Sequence, residues 1–263
     1  MRKILQATMA MGLLAACVTS GASPHDMSAS GHQAASNDAD QKAAAHQGQY
    51  SADAVAVKER CPQSARTGGV APLGTDLNYL CWTSVTNPTE HHRAEAEQQR
   101  RAAAEHRAAS AVLKETEARA CVGIEPDDRD ISPFFHREDI ERVELEPQGS
   151  PARRANQPEP AVIGATVYFV AVPGLTVDRF QHLIDCHLAR NAVLGHDLPE
   201  MNYCPLVPRN VAATVKATAH GFAVTMTSSD PRAAAEVAKR AEGLVASKPH
   251  ASTQSSVSQG KRE

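Results

Sequence analysis

The run Val162-Ile163-Gly164-Ala165-Thr166-Val167-Tyr168-Phe169-Val170-Ala171-Val172 limits the fold more than any other stretch of the chain. It is apolar on both faces and rich in β-branched residues, which reads as a central strand closed by Pro173-Gly174. Even with Ala161 it is too short to cross a bilayer as a helix, which takes ~20 apolar residues. A central strand needs neighbours. Ile140 to Glu146 alternates, with Val143 and Leu145 on one face. Val211 to Thr218 and Phe222 to Thr227 flank the turn His220-Gly221 as a hairpin, in which Val211, Ala213, Val215 and Ala217 lie on one face, with Phe222, Val224 and Met226 opposite them on the second strand.

Two helices accompany these strands. Thr176 is expected to cap the first, which runs to about Leu194 and buries Val177, Phe180, Leu183, Ile184, His187 and Leu188. Asp230-Pro231 opens the second, with Ala234, Val237, Ala238, Ala241 and Leu244 inward. The order ββαββα predicts an α+β domain over 121–246: a four-stranded, mainly antiparallel sheet with two helices on one face.

Before this domain, Asn87-Pro88-Thr89-Glu90 carries the signals of a helix start, and a long helix is expected over 88–120, spanning about 45 Å. Its apolar stripe is thin, so its first half is expected to project as a stalk and its second half to lean on the domain. His91 and Glu95, one turn apart on it, could share a metal, but a solvated charged face is the reading favoured for them. Residues 50–87 are turn-rich and predict irregular structure, stapled by Cys61 and Cys81 at a gain of ~3 kcal/mol. Residues 17–49 and 247–263 carry almost no large apolar side chains and are expected to be a disordered tether and tail. His25, Met27, His32 and His46 lie in that tether, as copper-scavenging groups or as plain solvated spacing.

The N-terminus sets the expected address. Met1-Arg2-Lys3 followed by an apolar stretch to Ala16 has the layout of a signal peptide over 1–16. Its ending, Leu14-Ala15-Ala16-Cys17, resembles the lipobox of bacterial lipoproteins. The resemblance implies cleavage before Cys17, a diacylglycerol on its sulfur and commonly a third acyl chain on its amine. Two or more chains hold a protein stably at a membrane. Val18 in place of an aspartate implies delivery to the outer membrane, facing the periplasm or the cell surface. The alternative is an ordinary signal peptide with Cys17 a plain thiol. The blocks ARACVGI, DRDISPFFHREDI and DCHLARNA, within 80–244, are similar to blocks of proteobacterial lipoproteins of unassigned activity, which supports the address and implies no mechanism. The net charge is −3 with acids and bases interspersed, so no basic footprint points to nucleic acid.

The richest chemistry lies in Asp185-Cys186-His187, Gly195-His196-Asp197, Met201 and Tyr203-Cys204-Pro205. Haem attachment is excluded, because Leu183 stands where a second cysteine is required. A copper or zinc site would draw on His182, Cys186, His196, Met201 and Cys204. A disulfide between Cys186 and Cys204 is the other reading, with His187 a buried core residue and Cys121 left free. Cys204 near His196 and Asp197 is the one cluster that can be written as a nucleophile with a base, and no nucleophile elbow accompanies it. The expected function is therefore a lipid-anchored envelope protein acting as a non-catalytic binding or scaffolding module without a cofactor. A periplasmic copper- or zinc-binding lipoprotein is the alternative, and a cysteine-dependent hydrolase a distant third.

Overall fold

The computed structural model describes residues 22–60, 82–149 and 161–246. In chain order the main elements are α1 (Ala29–Gln49), β1 (Ala56–Arg60), β2 (Trp82–Thr86), α2 (Glu90–Ala120), α3 (Pro126–Asp130), β3 (Ile140–Pro147), β4 (Val162–Val170), α4 (Val177–Leu194), β5 (Val211–Ala217), β6 (Gly221–Ser228) and α5 (Pro231–Ala246). The signal peptide, Cys17, the Cys61–Cys81 pair and the C-terminal tail fall outside the described residues.

The four-stranded sheet has the order β3-β4-β6-β5 with every pair antiparallel. Its register builds apolar rows across one face. Val143, Val167, Val224 and Val215 form one row, and Leu145, Ala165, Met226 and Ala213 form the next. Apart from Leu145, which stays 40% exposed on the edge strand, these rows share one core with Phe180 and Ile184 of α4 and with Val237, Ala241 and Leu244 of α5. Both helices therefore cover the same face, as the ββαββα order predicts. Edge-to-face ring contacts from Phe169 to Phe180 and from Phe180 to Phe222 knit the strands to α4. Thr176 and Asp230 start their helices as expected: the Arg179 amide donates to Thr176 Oγ1 at 3.2 Å, and the Arg232 amide to Asp230 Oδ1 at 2.8 Å.

Strand β4 is not apolar on both faces. Gly164, Thr166 and Tyr168 point away from the helices, and the Thr166 hydroxyl bonds to Thr225 and Glu146. Beside it the Arg142 guanidinium lies 3.4 Å over the Tyr168 ring, while the Tyr168 hydroxyl donates to Glu144. A two-layer arrangement leaves the second face of the sheet polar.

The N-terminal half departs from expectation. The tether is helical over Ala29–Gln49, and it packs along α2. The inward positions of α1 are Ala29, His32, Ser36, Ala39, Ala43 and His46; those of α2 are His92, Ala96, Gln99, Ala103, His106, Ser110 and Leu113. They alternate by three and four residues, the spacing of a heptad seam. His32 meets His106 and His46 meets His92, so the helices run antiparallel. Small side chains let the two backbones approach closely, which replaces bulk hydrophobic burial with dispersion and polar contacts. Ser110 Oγ donates to the Ala29 carbonyl at 3.0 Å, and Arg107 bridges to Ser36 Oγ and Asp40. The first half of α2 is consequently no free stalk, whereas its second half does lean on α4.

Two smaller corrections follow from local chemistry. Residues 50–87 include an antiparallel ribbon in which Val57 faces Val85, so this segment is not wholly irregular. Asn87 does not cap α2. Its side chain accepts from the Thr89 amide at 2.8 Å and closes a turn, which moves the helix start to Glu90. No helix among the described residues is long and apolar enough to cross a membrane.

Candidate functional site

Helix α4 and the loop after it place the Cys/His stretch differently from either sequence reading. Cys186 is bonded to Cys121, with Cα atoms 4.7 Å apart. The expected Cys186–Cys204 bridge is therefore incorrect, and so is a free Cys121. Helix α2 packs along α4 and delivers its last turn to the face carrying Cys186, while the loop carries Cys204 into the core. There Cys204 is a buried free thiol, its sulfur 3.1 Å from Ser132 Oγ. Burial pushes this thiol above its ordinary range, which suppresses the thiolate.

The five residues proposed as copper or zinc ligands do not converge. Cys186 is consumed by the disulfide, and Cys204 faces Ser132. His196 Nδ1 donates to the Val207 carbonyl at 2.8 Å, and desolvation pulls its imidazole below the ordinary value. Met201 sits in a 3₁₀ turn and packs against the core, and His182 is half-buried on α4. The Cys204 sulfur thus has a hydroxyl rather than an imidazole as its partner. His187 is the core residue expected of it: Nε2 donates to the Asp128 carbonyl at 2.9 Å, and burial holds the ring's pKa down.

Two other features stand out. The first is a cleft of about 450 Å³ where α2, α4 and the 208–211 segment meet. Leu113, Leu188, Ala192 and Val211 line it, and His25, Asp185, His196 and Arg209 add polar groups. Its volume lies in the usual range of small-ligand sites. Arg209 also grips the chain entering α1, donating to the carbonyls of His25 and Asp26 at 2.8 and 2.9 Å.

The second is the pair of histidine layers in the α1–α2 seam. In one, His46 Nδ1 lies 3.3 Å from His92 Nδ1 and 2.9 Å from Glu95 Oε2, which is 3.6 Å from His92 Nδ1. Among the described residues, this is the one group of three His, Cys, Asp or Glu side chains whose ligand atoms gather at a point. In the other layer His32 Nδ1 and His106 Nδ1 are 3.1 Å apart, and Asp26 lies 3.2 Å from the opposite ring nitrogen of His32. The one-turn spacing in the sequence offers His91 as a partner for Glu95. Yet His91 Nδ1 is turned to the Pro88 carbonyl at 3.0 Å, and His92 occupies the seam. The missed signal was the three-four alternation itself, shared by 29–46 and 92–113.

No protein-family model matches the chain, and no curated protein and no solved structure matches it.

Proposed function

We propose that this chain is an exported, lipid-anchored protein of the bacterial cell envelope, working as a non-catalytic binding module through the cleft between α2 and α4. One observation carries the reading: the Cys121–Cys186 bond that fastens the helical hairpin to the α+β domain. Such bonds form and persist in oxidising compartments and are rare where cellular thiols are kept reduced. An N-terminal lipobox-like ending at Cys17 and an inter-element disulfide downstream are two independent features that agree on the same side of the membrane. The cleft supports the binding role, because apolar walls with a few converging polar groups suit a small, largely apolar ligand.

Expression in a bacterial host tests the address. The mature chain is expected to begin at an acylated Cys17 by mass spectrometry and to fractionate with outer membranes, and Cys17→Ser should release it. Differential alkylation should find Cys121 and Cys186 oxidised and Cys204 free. An unmodified start together with reduced Cys121 and Cys186 would sink the proposal.

A further inference from the structure

We propose that the α1–α2 hairpin binds one divalent transition-metal ion of the zinc and copper(II) class, through His46 Nδ1, His92 Nδ1 and Glu95 Oε2. This site is independent of the lipid anchor and of the cleft.

The geometry is the first argument. Nitrogen and oxygen ligands sit 2.0–2.2 Å from such an ion, so neighbouring corners of its tetrahedron lie about 3.3 Å apart. The three edges here are 2.9, 3.3 and 3.6 Å. Three lone-pair-bearing atoms at that spacing satisfy each other poorly with protons alone. One proton on His46 Nδ1 can serve Glu95 or His92 and leaves an acceptor-against-acceptor contact. A second on His92 Nδ1 lets both rings donate to Glu95 but sets the two ring nitrogens donor against donor at 3.3 Å. A cation at the centre satisfies all three.

The scaffold is the second argument. His92 and Glu95 lie three residues apart on one face of α2, and His46 comes from the seam of α1, so the ligands are preset by helix packing. The neighbouring His91 ring lies 3.9 Å from that of His92 and is itself fixed to the Pro88 carbonyl. The three side chains are partly exposed, which gives an ion a path in from solvent and leaves a fourth position for water.

The donor set selects the ion. Two imidazoles and one carboxylate suit zinc, copper(II) or nickel; calcium and magnesium take mainly oxygen ligands, and copper(I) favours sulfur. The second layer supplies an internal contrast. At His32–His106 only two nitrogens converge, because Asp26 approaches the far nitrogen of His32. That layer packs the seam and is assigned no ion.

The experiment uses the full mature chain, made without a histidine tag and stripped with chelator. It is dialysed at neutral pH against zinc and, separately, copper(II), with metal read by elemental analysis. One ion per chain is expected. His46→Gln, His92→Gln and Glu95→Gln should each weaken binding at least about tenfold, since even losing a side chain that only orients a metal ligand costs about 10–100-fold. His106→Gln and His91→Gln should keep the ion. Circular dichroism checks that each variant retains its helices, and zinc should raise the melting temperature of the parent chain but not of Glu95→Gln. Absence of retained metal at micromolar free ion, or undiminished binding in the His46→Gln/His92→Gln double variant, overturns the proposal.

Discussion

Cys121 and Cys186 stand 65 residues apart in sequence, yet their Cα atoms are 4.7 Å apart, joining the last turn of α2 to the middle of α4. The hairpin and the α+β domain are thereby covalently one body. The same contact is reinforced by Arg190, which pairs with both Glu117 of α2 and Asp130 of α3.

Breaking this bond should be costly. On the chain-entropy account a closed loop of this length stabilises by about 4 kcal/mol. Cys121→Ser, or reduction of the parent chain, should lower the urea midpoint accordingly. Cys204→Ser should leave the response to reductant unchanged.

The end of α4 is the second sensitive place. Gly195 adopts φ 86° as the left-handed cap, and a Cβ there would come within 2.8 Å of Ser28 Cβ at the start of α1. Gly195→Ala is expected to cost about 1–2 kcal/mol for the backbone alone, with a further loss from displacing Ser28. Thermal unfolding measures the sum, and hydrogen exchange should show α1 loosening first.

Acid should weaken the fold through His187. Its pKa is lowered from the ordinary 6.5, chiefly by burial, with Arg190 opposing its charge and the Asp128 and Ile131 backbone groups favouring it. Above about pH 6.5 both folded and unfolded rings are neutral. Below it the unfolded ring takes up a proton that the folded ring resists, so stability falls as pH drops through the folded value. His196 acts in the same direction. In His187→Leu the stability at neutral pH should drop by about 1 kcal/mol for the lost hydrogen bond to Asp128, read as a lower melting temperature, while its decline toward acid becomes shallower.

The seam of the hairpin tolerates no bulk. Ala96 and Ala103 have no exposed surface, and overpacking typically costs about 1–3 kcal/mol. Ala103→Leu should therefore release α1 to proteolysis while leaving the α+β domain folded. Ala104→Leu, on the exposed side of the same turn, should do neither.

These outcomes track which signals the sequence carried openly. The inward faces of β3, β5 and β6 were legible because apolar residues alternate there, and Thr176 and Asp230 because capping chemistry is local, whereas β4 reads as apolar on both faces and its register with its neighbours is carried by no local signal. Helix α1 was not legible. Its inward residues are Ala, His and Ser, so nothing in it alone stands out as a buried face, and only the matching spacing on α2 gives it meaning. Cys121–Cys186 was hidden for a related reason: sequence proximity favoured Cys204, whereas the packing of α2 on α4 decides the pairing. Of the site now proposed, the sequence spacing joins Glu95 to His91, but His91 and His92 differ by ~100° around the helix and His92 is the one that faces α1.

Arg209 holds the backbone at His25 and Asp26 against the α+β domain, and that grip limits how far the domain can lie from any group attached at Cys17. Cys17 and Asp26 are nine residues apart, a reach of at most roughly 32 Å when fully extended, against ~120 Å had the chain stayed loose as far as Tyr50. Were Cys17 acylated as proposed, the cleft and the histidine seam would be moored close to the lipid headgroups and would sample a thin layer beside the membrane instead of sweeping a depth.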